Sequence, residues 1–290
     1  MSAQPEQADV VQRALSSAGI PPERFGPARL TQLDDGERAL YRWILASFAR
    51  SSPPPIYELC DHASELGLQI EETLDLFAKL DLVHHDPASG EILVAYPFSA
   101  RPRGHSVLIN NTHRVEAMCA IDALGIAPML QQPVEITSHD PHSGTEIWVR
   151  LDPGEGAWWE PPSAVVLAGS SSCDGPSYRG CCDVLNYFET EASANSYLAA
   201  HSELTGFPIA IPEAIEAGRT VFADLLKGAE RCRLRSTATN SNASSATSKP
   251  NSSRCCRPTS TRTSTCPARS TSRSRRSTAR QPRRSTATGR

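Results

Sequence analysis

The chain has 290 residues, with 32 acidic and 29 basic side chains and a formal net charge of −3. That near balance hides an asymmetry: residues 231–290 carry 15 Lys and Arg and no Asp or Glu, so the first 230 hold 14 basic and 32 acidic residues, a net of −18. An acidic body argues against broad binding to a phosphate backbone, which needs Lys and Arg.

The opening MSAQPEQADVVQRALSSAGI lacks a basic start followed by an apolar run, so no signal peptide is expected. Apolar runs such as AVVLAG at 164–169 fall far short of the ~20 residues that span a bilayer. The expected location is therefore the cytoplasm, with no membrane partner. Thiols there stay reduced, so cysteines read as metal ligands, catalytic groups or core residues before disulfides. There are nine: Cys60, Cys119, Cys173, Cys181, Cys182, Cys232, Cys255, Cys256 and Cys266.

Residues 7–19 and 36–50 read as amphipathic helices, the second with Leu40, Trp43, Ile44 and Phe48 at helical spacing and stopped by SSPPP at 51–55. IYELCDHASELGL predicts a short helix ending at Gly67, and QIEETLDLFAKLDLV another, acidic in its first turn. HHDPASGEILVAYPFS follows as a hairpin around a DPASG turn. Three helices and a hairpin are the order of a winged-helix module, expected over residues 1–98. A DNA-reading third helix needs positive charge, yet this one carries Glu71, Glu72 and Asp75 against Lys79. No nucleic-acid partner is expected.

HSVLINNTH suggests a strand and turn, and HRVEAMCAIDALGIAPML a helix stopped near Pro128. VEITS and TEIWVRL form a predicted hairpin around HDPHSG. SAVVLAGS reads as a buried strand, RGCCDVLNYF as another, SANSYLAAHSEL as a helix, and IPEAIEAGRTVFADLLKG as the closing helix. The fold class is α+β: a winged-helix-like N-terminal domain, then an antiparallel-sheet and helix core over residues 99–230. Residues 231–290 hold 25 Ser or Thr and almost no large apolar side chain, which predicts a disordered tail. Such an abrupt change after a complete helix is also what a shift of reading frame in GC-rich DNA would produce, and its cysteines receive no role.

Cys119 and Asp122 lie three apart on the predicted helix and share its apolar face with Val115, Met118 and Ile126. A buried cysteine is ordinary, but an aspartate is seldom buried without a partner. Burial raises a carboxyl pKa, so Asp122 beside a thiol is a candidate proton donor next to a nucleophile. The competing reading has Asp122 bridging local backbone amides. Cys181 and Cys182, on a strand, point to opposite faces, so one member could join Cys119 while the other fills the core. Two thiolates without histidines favour a soft metal, and the absence of CxxC disfavours structural zinc.

The segment HRVEAMCAIDALGIAPML, with Cys119-Ala120-Ile121-Asp122, resembles the Cys-Ala-x-Asp helix of the alkylmercury (organomercurial) lyase family. EITSHDPHSG resembles that family's Ser-His hairpin, GCCDVLNYF its Cys-Cys-x-Val-x-x-Phe strand, and FPIAIPEAIEAGRTVFADLL its closing helix, so the likeness covers roughly residues 36–227. It implies protonolysis of a carbon–mercury bond, giving a hydrocarbon and Hg(II) held by two thiolates. It further implies that Cys119 and Cys181 bind mercury and that Asp122 delivers the proton to carbon. No organic cofactor is implied. The expected partners are organomercurial small molecules, low-molecular-weight thiols that release the metal, and a mercuric reductase. Asp140 stands where many members have a cysteine that looks structural, and Asp183 and Asn186 where some have histidines. The remaining readings are a non-catalytic soft-metal binder or chaperone, which needs the thiols but not Asp122, and a winged-helix regulator with a thiol sensor.

Overall fold

The computed structural model describes residues 5–171 and 177–227, so Cys173 and the predicted tail lie outside the described residues. The helices are α1 (Pro5–Ser17), α2 (Gly26–Leu30), α3 (Asp35–Arg50), α4 (Ile56–Glu65), α5 (Ile70–Lys79), α6 (Ala120–Leu130), α7 (Glu191–Ala200) and α8 (Ile211–Phe222). The strands are β1 (Val83–His85), β2 (Ile92–Ala95), β3 (Phe98–Ser99), β4 (Ser106–Ile109), β5 (His113–Ala117), β6 (Val134–His139), β7 (Glu146–Asp152), β8 (Gly156–Glu160), β9 (Val165–Ser171), β10 (Tyr187–Phe188) and β11 (Leu204–Ala210).

The class is α+β with antiparallel sheets, as the order of elements predicts. An eight-stranded sheet runs β1-β2-β3-β5-β4-β6-β7-β8, and a three-stranded one runs β10-β9-β11. The larger sheet takes strands from both sides of residue 98, because β3 pairs with β2 on one edge and β5 on the other. Helices α3, α4 and α5 precede the antiparallel β1–β2 hairpin. The hairpin β6–β7 forms from strict alternation: Val134 and Ile136 on one strand and Ile147, Val149 and Leu151 on the other are buried, with more exposed residues between them.

Three predicted elements change on folding. The helix expected over 113–130 begins only at Ala120, since 113–117 are drawn into β5 by pairing with β4. RGCCDVLNYF is not a strand: Cys181–Asp183 is a single 3-10 turn and only Tyr187–Phe188 is extended. The closing helix α8 starts at Ile211 as its sequence predicts, with a proline in its first turn, while FPIA, joined to that helix by the family resemblance, forms the end of β11 paired with β9.

Helix α6 lies in the centre of the molecule. Every residue from Ala120 to Met129 is buried, so it has no polar face at all. Its four buried large apolar side chains, Ile121, Leu124, Ile126 and Met129, each contribute about 1.5–3 kcal/mol by leaving water. Helix α8 crosses it at two glycines. A Cβ on Gly218 would lie 2.8 Å from the Gly125 nitrogen and 2.9 Å from the Ile121 oxygen, and one on Gly125 would meet Phe222 at 2.3 Å. Backbone-to-backbone contact of this kind admits no methyl group without moving a helix. Gly218→Ala is therefore expected to lower the unfolding free energy by about 1–3 kcal/mol, measured by urea denaturation.

Candidate active site

Cys119 is the N-cap of α6. Its backbone is extended (φ −156°, ψ 180°), and the Asp122 N–H points at its sulfur at 3.4 Å. Cysteine here takes the place of the usual Ser, Thr or Asp cap. The turn carrying the cysteine pair is pinned to that same helix end. The Ala120 N–H donates to the Leu185 carbonyl at 2.8 Å, the Leu185 N–H donates back to the Cys181 carbonyl at 3.0 Å, and the Tyr187 hydroxyl donates to the Ala120 carbonyl at 3.3 Å. The Ala120–Leu185 main-chain bond and the Tyr187 hydroxyl thus bring together two stretches sixty residues apart.

At this junction the Cys119 thiol donates to Asp122 Oδ2 at 2.8 Å and the Cys182 thiol approaches the same oxygen at 3.8 Å. Donor atoms of Cys119, Asp122 and Cys182 all lie within 4.8 Å of one another. Cys182 therefore does not face away from Cys119, because a 3-10 turn does not alternate its side chains as a strand does. Cys181 is buried beside them, its thiol donating to the Ser177 carbonyl at 3.7 Å. All four residues line one cavity, closed by apolar groups that include Tyr41, Tyr96, Leu185, Phe222 and Leu225. None of the three cysteines is in a disulfide.

Burial dominates the electrostatics. It pushes the Asp122 carboxyl from its ordinary 3.8 up to about 7, even though hydrogen bonds from Cys119 and Cys182 pull the other way. Burial also pushes the Cys119 thiol up to about 12. The two groups share one hydrogen bond and titrate as a pair: near neutrality the pair exchanges its first proton and retains the second. Cys181 goes the other way. Its thiol falls below the ordinary value because Cys182 donates a hydrogen bond to it, against the effect of burial, while Cys182 itself is raised well above. Of the adjacent pair, Cys181 is the sulfur that first becomes a thiolate.

Other predicted residues take structural places. His139, at the end of β6, is exposed and lies 3.9 Å from Glu146. Asp140 is buried and accepts from the backbone of His142, Ser143 and Glu189 and from the Ser193 hydroxyl at 2.6 Å, joining the β6–β7 turn to the start of α7. It ties together a region where the resembled family often has a cysteine. Asp183 pairs with Arg103, and its carbonyl accepts from Asn186 at 2.9 Å. Cys60 is buried on α4. One cluster had no counterpart in the sequence reading: Asp81, Arg29, His84, Tyr96 and Ser177, which adjoins the cavity wall.

A buried thiol–carboxyl pair beside two further thiols in an apolar cavity defines a site for a soft electrophile and a proton transfer. Residues 98–223 match the family model of alkylmercury lyase (MerB). The alkylmercury lyase of Staphylococcus epidermidis is 25% identical over 201 residues, covering 68% of this chain and 89% of the relative. That of Streptomyces lividans is 22% identical over 189 residues, covering 65% and 84%. The crystal structure of the mercury-bound form of MerB2 superposes with a TM-score of 0.59 at 21% identity, covering 71% of this chain and 98% of that one, a likeness of fold. The chain is thus similar to alkylmercury lyases, over residues 98–223 for the family model and over about two thirds of its length for the two relatives.

The raised carboxyl also sets a stability cost. In the native state Asp122 holds its proton up to about 7, whereas in the unfolded chain it releases it near 3.8. Between those values the native state binds more protons, so stability falls as pH rises across that window. The full loss is on the order of 4 kcal/mol. Asp122→Asn is expected to be more stable than the parent at pH 8, with the difference shrinking as pH falls to 4. Chemical denaturation at both pH values measures it.

Proposed function

We propose that this chain cleaves the carbon–mercury bond of organomercurials by protonolysis, with Cys119 and Cys181 as mercury-binding thiolates and Asp122 as the proton carrier. The observation that carries this reading is the 2.8 Å hydrogen bond from the Cys119 thiol to the buried Asp122 carboxylate. A thiol pushed up to about 12 is a poor nucleophile alone, but it has a base in contact.

The Cys181 thiolate attacks the mercury of an R–Hg–thiolate complex and displaces the small thiolate. Cys119 then bonds to mercury and passes its thiol proton to Asp122. Two soft sulfurs raise electron density on the metal and weaken its bond to carbon. Asp122 gives its proton to that carbon, R–H leaves, and Hg(II) stays between the Cys119 and Cys181 sulfurs. Two low-molecular-weight thiols remove the metal as a dithiolate; one of their protons returns to Cys119, the other neutralises the small thiolate displaced in the first step, and Cys181 is left as the thiolate. The Asp122 proton is thus the one Cys119 gave up, and no organic cofactor enters. The reaction belongs in the reducing cytoplasm, where a mercuric reductase would take the released ion. The N-terminal helices and β1–β2 hairpin, arranged as in a winged helix, serve here as one wall of the site; α5 exposes Glu71, Glu72 and Asp75, an unsuitable face for DNA.

A second reading, a non-catalytic holder of soft metal, draws on the convergence of Cys119, Asp122 and Cys182 donor atoms within 4.8 Å. Asp122→Ala separates the two. For a lyase it lowers methane release from methylmercury, with excess thiol, by about 10²–10⁴-fold while mercury still binds. For a holder it changes neither. No methane from the folded parent protein overturns the lyase reading.

The pH dependence follows from the proton count. The competent pair carries one proton, a state reached only above the first titration at about 7. Turnover under saturating thiol is expected to rise through about pH 7 and to hold on the alkaline side, a profile measurable by headspace methane. A rate that falls as pH rises through 7 would mean that the pair must start with two protons.

A further inference from the structure

Asp81 follows α5 in a left-handed backbone conformation (φ 55°) and is buried. Its carboxylate and carbonyl collect groups from four parts of the chain. Arg29, itself buried on α2, donates to the Asp81 carbonyl at 2.6 Å and lies 3.5 Å from Oδ2. His84 Nε2 on β1 is 2.7 Å from Oδ1, and the Tyr96 hydroxyl is 3.4 Å from that oxygen. Ser177 gives both its hydroxyl, at 2.6 Å to Oδ2, and its backbone N–H, at 3.3 Å. Burial opposes ionisation here, yet the hydrogen bonds of His84 and Ser177 with the charge of Arg29 hold the carboxyl below its ordinary value.

Ser177 is the link to the chemistry. Its carbonyl accepts the Gly180 N–H at 3.1 Å and the Cys181 thiol at 3.7 Å. Tyr178, next in the chain, packs its ring against His84 with centroids 4.7 Å apart. The short turn that precedes the cysteine pair is therefore anchored at its start to Asp81 and at its end to α6 through Leu185.

We infer that Asp81 is a positioning residue for the lyase site: by gripping Ser177 it fixes the turn that presents Cys181, coupling the N-terminal helical segment to the cysteine pair. The inference rests on the lyase reading for its effect on turnover, but not for its effect on Cys181. The carboxylate makes no hydrogen bond to a cysteine sulfur, so its action reaches Cys181 chiefly through Ser177, with the His84–Tyr178 ring contact as a second support of the same turn. An isolated surface aspartate could not do this, because water would compete for each bond.

The test uses the full chain and the variants Asp81→Asn, Ser177→Ala and the double mutant. Two quantities are read: methane release from methylmercury with excess thiol, and the rate at which iodoacetamide alkylates Cys181, followed by mass spectrometry of its peptide. Release of the turn is expected to raise Cys181 alkylation at least tenfold in either single variant, and to lower kcat at least tenfold with KM within threefold. The double mutant is expected to lose no more than the worse single variant, since both changes cut one linkage. Single-variant rates within twofold of the parent, or effects that multiply in the double mutant, overturn the positioning role. If Asp81→Asn does not fold, Ser177→Ala decides alone, because it leaves Arg29, His84 and Tyr96 on Asp81. A parent protein that releases no methane sinks the lyase reading, while the alkylation rates still judge the linkage.

Discussion

The structure depends on keeping one carboxyl out of water next to a thiol. Asp122 is 4% exposed, and the cost of holding it there has to be offset by what surrounds it. Burial of a lone carboxylate costs several kcal/mol. The apolar residues of α6 supply more than that in favourable transfer energy, which is why the helix is buried on every side and why α8 approaches it closely enough to require Gly125 and Gly218. A helix with a solvated face would let water reach Asp122, return its pKa to the ordinary range and compete with the Cys119 thiol for its carboxylate.

The same constraint explains how the cysteine pair is held. Side-chain contacts to sulfur are long and weak, as the 3.7 and 3.8 Å distances show. Position is set instead by backbone bonds, Ala120 to Leu185 and Leu185 to Cys181, and by the Asp81–Ser177 linkage. A soft metal that binds two sulfurs nearly in line tolerates little error in their separation, so a rigid frame with loosely bonded thiols suits it. The thiols remain free to reorient or to lose a proton without the frame having to move.

Part of this was legible in the sequence. Asp122 stood out because an aspartate three residues from a cysteine in an apolar stretch has few bland explanations, and the structure does bury both. The reason was partly mistaken: Val115 belongs to β5, so the stripe running Val115, Met118, Ile126 is not one helix face, and β5 wins because residues 113–117 find a partner in β4. The pair at 181–182 was read as a strand from its flanking Val and Phe, whereas Gly180 and the Leu185–Cys181 backbone bond close a turn there and place Cys182 near Asp122. The Asp81 cluster was invisible because its members are 52 and 96 residues apart and each looks unremarkable alone. Local patterns report burial well, but they do not report which buried polar group will meet which.

The adjacency of two cysteines gains a physical reason from this arrangement. A single thiol facing a buried carboxylate would be driven up by burial and by like charge, and would enter reaction only after losing its proton elsewhere. Cys182 lies 3.8 Å from Asp122 and, as the protonated neighbour of Cys181, holds that thiol below its ordinary value although burial and the Asp122 charge push it up. The Ser177 carbonyl adds a second partner to Cys181, and Ser177 is itself fixed by Asp81. The thiols and the carboxyl of this cavity therefore differ in how readily each gives up its proton, with Cys181 ahead of Cys182, and burial together with the Cys182 hydrogen bond sets that order.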